Sequence, residues 1–166
     1  MLRRPMTVFQ ALVALATLIL LSGCSTLSPY SQVTKLDLTL TASDQLNPDI
    51  NGRPSPLVIR LLELKHPAAF ENADFFSLYQ RAGQTLGTDL VNTEELELRP
   101  GETVELKLSL VTGSRYVGIL AGYRDLLGSD WRHTVQVTPM AISQAELTLD
   151  RNALHPSVPL QAQARD

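Results

Sequence analysis

The residue best suited to covalent chemistry in this 166-residue chain is its one cysteine, Cys24. It ends the tetrapeptide Leu-Ser-Gly-Cys at 21–24, which closes an uncharged apolar run over residues 6–21 that itself follows Arg3 and Arg4. A basic start, an apolar segment and small residues at the cleavage point are typical of a secretory signal. Cleavage in front of a cysteine predicts a bacterial lipoprotein. We therefore expect a signal peptide over 1–23, diacylglycerol on the thiol of Cys24 and a third acyl chain on the new amino terminus.

Two other interpretations of this segment are an uncleaved membrane anchor and an ordinary secretory signal. The apolar run is shorter than the roughly 20 residues of a spanning helix, and the position of the sole cysteine favours the lipoprotein. Without a second cysteine, Cys24 forms no intramolecular disulfide. Ser25 stands where an aspartate would retain a lipoprotein in the inner membrane, so by resemblance to other lipoproteins we expect the outer membrane, with the body facing the periplasm. Acyl burial contributes about 0.8 kcal/mol per CH₂, so three chains hold durably.

The mature chain, residues 24–166, is long enough for one domain with a real core. Loss of Arg3 and Arg4 leaves 12 basic and 17 acidic side chains, a formal charge of −5. The chain shows neither a basic stripe nor a repeated platform of aromatic residues on which bases could stack, which argues against nucleic-acid binding. Small and polar residues over 25–32 predict a lipidated tether over 24–32, which leaves 33–166 as the folded domain.

Other residues that could do chemistry lack the spacing for it. His66, His133 and His155 do not have zinc-ligand spacing, and the chain contains neither a G-x-S-x-G elbow nor a glycine-rich phosphate loop. Residues 47–52 match the opening of a calcium loop, but its twelfth position, which requires glutamate, is Val58. The glutamates at 94, 95 and 97 are interpreted as a solvated strand face. We therefore expect no enzyme, no metal site and no cofactor other than the covalent lipid.

Apolar residues recur at every second position over much of the chain. Residues 35–41, 104–110, 134–138 and 146–150 alternate in this way, which is typical of half-buried strands. Residues 57–64 and 116–123 are apolar on both faces and predict central strands. Pro100-Gly101 predicts a tight turn. Seven or eight short strands separated by turns predict an all-β, two-sheet sandwich.

One stretch has helical periodicity instead. Residues from Pro67 to about Arg81 predict a helical insert with a cap at Asn72 or Asp74. Its four aromatic residues are Phe70, Phe75, Phe76 and Tyr79. We expect them to plug one side or end of the sandwich, since aromatic residues at helical spacing are usually core. The alternative is that they stack on a ligand.

The segment between the first two strands, residues 42–56, has three prolines and no periodicity. Connections of this length are uncommon in compact domains and are usually functional or disordered. Leu46 and Ile50 stand among polar residues there. A stiff loop with apolar anchors and a polar rim predicts a protein-binding tip; alternatively, both side chains fold back onto the rim of the sandwich.

Taken in order, five groups of residues behind the lipoprotein signal resemble the TssJ family, also called VasD or Lip. The groups are Asn47-Pro48-Asp49 through Arg60, Asp74 through Tyr79, Leu98-Arg99-Pro100-Gly101, Tyr116 through Asp125, and Trp131-Arg132. Members of that family are outer-membrane lipoproteins of type VI secretion systems. The resemblance implies a transthyretin-like sandwich of two four-stranded sheets with a protruding loop after strand one.

The resemblance also implies a partner, the periplasmic C-terminal domain of the inner-membrane protein TssM, which pairs with TssL. Binding it would fasten the trans-envelope complex to the outer membrane. Carried over to this chain, the contact residues are Gln45, Leu46, Asn47, Asp49 and Ile50, with Leu46 and Ile50 as anchors. Arg60, Tyr123, Arg124, Asp125 and Trp131 are expected to form a structural network, with an Arg–Asp pair near the end of the sandwich. The alternatives are a lipoprotein that binds a small ligand or sugar between the insert aromatics, and a periplasmic hydrolase.

Overall fold

The computed structural model describes residues 33–157. The predicted signal peptide (1–23), Cys24, the predicted tether (24–32) and residues 158–166 lie outside the described residues. Eight strands and two helices make up this part of the chain. They are β1 (Lys35–Ala42), β2 (Leu57–Leu64), α1 (Ala68–Asn72), α2 (Phe75–Leu86), β3 (Leu90–Leu98), β4 (Thr103–Ser109), β5 (Tyr116–Ala121), β6 (Arg132–Gln136), β7 (Ile142–Leu149) and β8 (Leu154–Pro156). A 3₁₀ turn, Gly87–Asp89, joins α2 to β3.

The strands form two four-stranded sheets, in the orders β4-β1-β7-β8 and β3-β2-β5-β6. The pair β1–β7 is parallel, and every other pair among the named strands is antiparallel. The inner faces of both sheets contribute to one apolar core, to which β1 supplies Leu36, Leu38 and Leu40, all at most 1% exposed. The predicted two-sheet sandwich is confirmed.

The two segments that are apolar on both faces became the central strands β2 and β5. Their outer faces are covered by the helices, in a second core that joins Leu62, Leu120 and Phe70. The ring of Phe70 lies directly on Gly118, where a Cβ would come within 2.9 Å of it. The insert therefore packs on one side of the sandwich, as predicted.

The insert differs from its prediction in length. It consists of two helices and ends at Leu86 rather than near Arg81. The backbone leaves helical geometry at Arg81 (φ −138°, ψ 38°) and then resumes it. Asp74 is the cap of α2, and its carboxylate accepts a hydrogen bond from the Ser77 amide at 2.9 Å. The helical residues after Arg81 are held by the buried side chain of Leu86, which lies beyond the stretch that showed helical periodicity in the sequence.

The sandwich has two ends, which carry different connections. The loop end comprises residues 43–56, 99–102, 122–131 and 150–153, and the tether end comprises residues 33–35, 65–67, 87–89, 110–115 and 137–142. At the loop end, the predicted turn at Pro100-Gly101 is present, with Gly101 in the left-handed region at φ 74°. Since β1 begins at Lys35, the segment that would hold the lipid enters the domain at the tether end.

Candidate functional site

The loop between β1 and β2 is anchored to the sandwich at its base. Leu46 is fully buried in the central core. Its amide donates to the Ser43 carbonyl at 3.1 Å, and its carbonyl accepts from the Ser55 amide at 3.0 Å. The expectation that Leu46 is an exposed anchor is therefore wrong. Its apolar side chain gains more from filling the core than the loop would gain by presenting it to a partner.

Asn47, the next residue, ties three connections of the loop end together. It is 4% exposed and adopts the left-handed conformation at φ 45°, which asparagine tolerates better than most residues. Its Nδ2 donates to the Pro56 carbonyl at 2.9 Å, and its amide donates to the Arg151 carbonyl at 3.2 Å. Its Oδ1 accepts from the Arg124 amide at 2.9 Å. This side chain positions the loop and leaves little of itself to contact a partner.

The tip of the loop is a tight turn organised by Asp49. One carboxylate oxygen accepts from the amides of Asn51 (2.8 Å) and Arg53 (3.0 Å). The other oxygen lies 2.9 Å from both Nε and an NH2 group of Arg53. These bonds, the Arg53 amide first among them, lower the pKa of Asp49 below its ordinary value. The residues that match the opening of a calcium loop thus serve the turn.

Ile50 stands at the top of this turn and is fully exposed, at 101% of its reference area. Gln45 at the base of the loop is also exposed. The two predicted anchors therefore have opposite environments, because Leu46 is core and Ile50 protrudes. A lone apolar side chain on a hydrogen-bonded turn is already held in one place, so a partner that covers it pays little ordering entropy.

A cleft of about 450 Å³ lies beside the tip. Its walls come from three connections of the loop end. They are residues 47–50, residues 123–125, and Arg151 with Asn152. Tyr123 is buried beneath it, and its hydroxyl reaches the carbonyls of Ala153 (2.8 Å) and Asp150 (3.2 Å). Burial raises the pKa of Tyr123 above its ordinary value, as do the nearby charges of Asp150 and Asp130, so the phenol stays a neutral hydrogen-bond donor that fixes the β7–β8 turn.

The cleft carries charges of both signs, from Arg124 and Arg151 and from Asp49 and Asp125. Arg124 and Arg151 are both exposed, and within residues 33–157 no carboxylate lies within 4 Å of either guanidinium. Leu127, on the same β5–β6 connection as Arg124, is as exposed as Ile50, at 103%. The sequence interpretation did not assign Arg151 or Leu127 to the site. The one available signal was a pair of leucines, Leu126 and Leu127, inside a turn between β5 and β6.

The residues expected to form one structural network each bond to a separate partner instead. Arg60 pairs with Glu95 at 2.6 Å rather than with an aspartate, donates to the Tyr79 carbonyl, and lies over the Tyr79 ring at 4.1 Å. The expected Arg–Asp pair near the sandwich end is therefore wrong, since among residues 33–157 neither Arg60 nor Arg124 pairs with an aspartate. Asp125 instead accepts from the Gly128 amide of its own turn at 3.2 Å.

The aromatic residues of the insert serve the second core. Phe75 stacks on Tyr79, with ring centroids 5.3 Å apart, and meets Trp131 edge-on at 5.3 Å. Phe70 is fully buried, and Phe76 is the exposed member of the group. This packing removes the aromatic surface that a ligand-binding pocket in the insert would need.

Metal-ligating side chains do not converge in the described part of the chain: no three of its histidines, aspartates and glutamates are placed to hold an ion. His133 lies on β6, where partial burial lowers its pKa. His155 pairs with Asp150 at 2.8 Å. No helix among residues 33–157 combines the length and the apolarity needed to cross a membrane.

Sequence comparison identifies the family. The profile of the type VI secretion lipoproteins (VasD, EvfM, TssJ) matches residues 34–152, which is most of the described domain. The chain belongs to the type VI secretion lipoprotein family. This confirms the resemblance that the sequence motifs indicated. The family is a structural component of the secretion system rather than an enzyme family.

Solved structures give the same answer. The type VI lipoprotein TssJ1 from Pseudomonas aeruginosa is 38% identical, with a TM-score of 0.71 over 76% of this chain and 99% of that one. Serratia marcescens Lip, a membrane-bound component of the type VI secretion system, is 28% identical, with a TM-score of 0.69 over 75% and 98%. A chain of a type VI membrane complex, 23% identical with a TM-score of 0.66 over 76% and 100%, shares the fold. The curated proteins contain no match to this sequence.

Proposed function

We propose that this type VI secretion lipoprotein is acylated at Cys24, sits on the outer membrane facing the periplasm, and binds the periplasmic C-terminal domain of TssM. Through TssM it would connect to TssL and fasten the trans-envelope complex to the outer membrane. The signal sequence with its single cysteine supports the anchor. The choice of partner follows from the family. It agrees with a match of the same fold, 22% identical with a TM-score of 0.63, to a structure described as the T6SS protein TssM C-terminal domain from EAEC.

The observation that carries the partner-binding role is the fully exposed Ile50 on a turn that Asp49 holds rigid. Hot spots of binding are side chains that a partner can desolvate completely, surrounded by weaker contacts that exclude water. Ile50 has this arrangement, since the cleft beside it carries Arg124 and Arg151.

The proposed contact set follows from where the residues lie. Gln45, Asp49 and Ile50 are accessible to a partner, whereas Leu46 and Asn47 position the tip from below. Leu127 joins the set because it is an equally exposed apolar residue on the neighbouring connection. The cleft offers donors from Arg124 and Arg151 and an acceptor carboxylate from Asp125, which favours a partner surface with both acceptors and donors.

Replacement of Ile50 by Asp tests this surface. In the mature chain made soluble by Cys24→Ser, Ile50→Asp should weaken binding to the TssM periplasmic domain by about tenfold or more, the loss of one hot-spot side chain. Titration calorimetry measures the change. The melting temperature should stay nearly constant, because Ile50 makes no buried contact that stabilises the fold.

Phe76→Asp is the matched control, since Phe76 is an exposed apolar residue (58%) on α2, outside the loop-end segments. It should leave the affinity within twofold. If Ile50→Asp and Phe76→Asp bind equally well, or if Phe76→Asp causes the larger loss, the loop end is not the binding surface.

A further inference from the structure

The tether end carries an apolar surface that the partner-binding role does not use. Four of the exposed large apolar side chains of residues 33–157 lie there: Val33 at 43%, Val111 at 47%, Met140 at 63% and Ile142 at 62%. We call these four residues the tether-end patch. Single exposed apolar side chains are common on proteins, but a group on one surface commonly marks a site of interaction.

The strand pairing places the members of the patch side by side. β1 lies between β4 and β7, and Lys35 is opposite both Ser109 and Ile142. The Leu110 amide donates to the Thr34 carbonyl at 2.9 Å, and the Met140 amide donates to Thr34 Oγ1 at 3.1 Å. The segments that carry Val33, Val111 and residues 140–142 therefore continue three adjacent strands, β1, β4 and β7. Neighbouring strands of a sheet lie about 4.8 Å apart.

Met140 has an unusual backbone for its residue type. Its φ of 56° lies in the left-handed region, where glycine or asparagine would be less strained. The turn that holds it is closed by the Ala141 amide on the Thr138 carbonyl at 3.3 Å. The fold thus keeps a long apolar side chain exposed on a turn whose backbone conformation is unfavourable for methionine. Backbone strain of this kind is commonly found at functional sites.

The charge at this end is opposite to that of the whole domain. The tether-end segments carry Lys35, Lys65 and Arg115 against Asp89, and one further carboxylate, that of Glu63 at the end of β2, is buried beside them. Lys65 and Arg115 are exposed and adjacent, since the Arg115 amide donates to the Leu64 carbonyl at 2.8 Å. Apolar side chains with basic neighbours fit the boundary between phosphate headgroups and acyl chains.

The length of the preceding chain restricts what can cover the patch. Nine residue steps separate Cys24 from Val33, and even a fully extended chain of that length spans only about 30 Å. If Cys24 carries lipid, as the proposed function requires, the tether end is the part of the domain closest to the bilayer. A surface held at this distance meets the membrane at high effective concentration, so a weak contact suffices.

We infer that the tether-end patch rests on the phospholipid surface to which the lipid anchors the protein, and so directs the loop end away from the membrane. The inference rests on the proposed acylation of Cys24. It assigns the membrane a contact with the folded domain in addition to the acyl chains, with Met140 and Ile142 as the most exposed apolar members and Lys65 and Arg115 as the basic residues of the same end.

Site-specific fluorescence on the acylated full mature chain tests this inference. Because acylation consumes the thiol of Cys24, an introduced cysteine is the one free thiol and takes an environment-sensitive label. Met140→Cys and Leu127→Cys place the label at opposite ends of the sandwich, both at exposed positions. The proteins are reconstituted in vesicles of phosphatidylethanolamine and phosphatidylglycerol that contain a nitroxide-headgroup lipid.

The label at position 140 should be quenched several-fold more than the label at position 127, and its emission should shift to the blue. Ile142→Asp in the Met140→Cys background should reduce that difference. Equal quenching at both positions, in protein that floats with the vesicles, overturns the inference while it leaves the anchor intact. Protein that fails to float contradicts the acylation itself, and the two failures are thus distinct.

A second measurement excludes another copy of the chain as the occupant. The same label at position 140 is placed in the Cys24→Ser protein without vesicles. Emission typical of water, independent of protein concentration, is the expected result. A blue shift that grows with concentration would show that the patch binds a second copy and would overturn the membrane contact.

Discussion

The two ends of the sandwich are built alike and differ in what they expose. A buried polar side chain bonds several connections at each end, Asn47 at the loop end and Glu63, together with the buried Ser114, at the tether end. Glu63 accepts from the Val111 amide (2.8 Å) and Ser114 Oγ (2.7 Å), as well as from Asn92 Nδ2 (3.0 Å). A buried polar group with all its hydrogen bonds made fixes loop geometry without weakening the core.

The exposed surfaces differ in arrangement. At the loop end, the exposed Ile50 borders a cleft that carries two arginines and two aspartates, and Leu127 is exposed on a neighbouring connection, which suits a protein partner. At the tether end, four exposed apolar residues lie on three adjacent chain segments at an end that also carries exposed basic residues, which suits a membrane surface. A buried polar side chain that bonds several connections thus supports a protruding turn at one end and the tether-end patch at the other.

The largest expected effect concerns the attachment of the tether end. Cys24→Ser removes the acceptor thiol, so the protein should move almost completely from the membrane to the soluble periplasmic fraction, and secretion should stop. Fractionation followed by immunoblotting measures the distribution. Retention of the variant in the outer membrane, together with normal secretion, would rule out the lipid as the anchor.

Within the loop end, replacement by alanine should lower the free energy of unfolding much more at Leu46 than at Ile50. Leu46→Ala should lower the free energy of unfolding by about 2–5 kcal/mol, because it opens a cavity in the core. Ile50→Ala should change it by less than about 0.5 kcal/mol, as for other exposed positions. Urea denaturation gives both values. Similar losses for the two variants would mean that the tip folds onto the domain.

Replacement of either buried polar side chain, Asn47 or Glu63, should lower the free energy of unfolding by a similar amount. Asn47→Gly keeps a residue that accepts φ 45° and removes only the side-chain hydrogen bonds, so it should cost about 1–3 kcal/mol. Glu63→Ala leaves Val111 and Ser114 without their acceptor and should cost a similar amount. Hydrogen exchange should show faster opening of residues 43–56 in the first variant and of residues 110–115 in the second. Opening of both segments in either variant would show that the ends are not independent.

The smallest expected effect is a pH dependence near the loop end. The hydrogen bond from His155 to Asp150 raises the pKa of His155 above its ordinary value of 6.5. Since the folded pKa is the higher one, the stabilisation is complete below about pH 6.5 and disappears as pH rises through the folded pKa. Both side chains are nearly half exposed, so it amounts to less than about 1 kcal/mol. An NMR titration in which Asp150→Asn leaves the pKa of His155 unchanged would contradict this pairing.

The strands of this fold could be predicted from sequence because their signal is local. The alternation in β1 and the doubly apolar β2 and β5 each identify a strand and its place in the sheet. The site could be located only as far as the β1–β2 loop. The contrast between Leu46 and Ile50 depends on contacts of Asn47 with Arg124 and Arg151, which are far away in the chain. For the same reason, the cleft and Leu127 became apparent only from the folded structure.

Photo-crosslinking in cells with an intact secretion system tests most directly whether the loop end contacts TssM while the tether end contacts the membrane. A photoreactive amino acid replaces Ile50 in one strain and Ile142 in another, two isoleucines at opposite ends of the domain. We predict an adduct with the TssM periplasmic domain from position 50 and an adduct with phospholipid from position 142. An adduct with TssM from position 142, and none from position 50, would contradict the account.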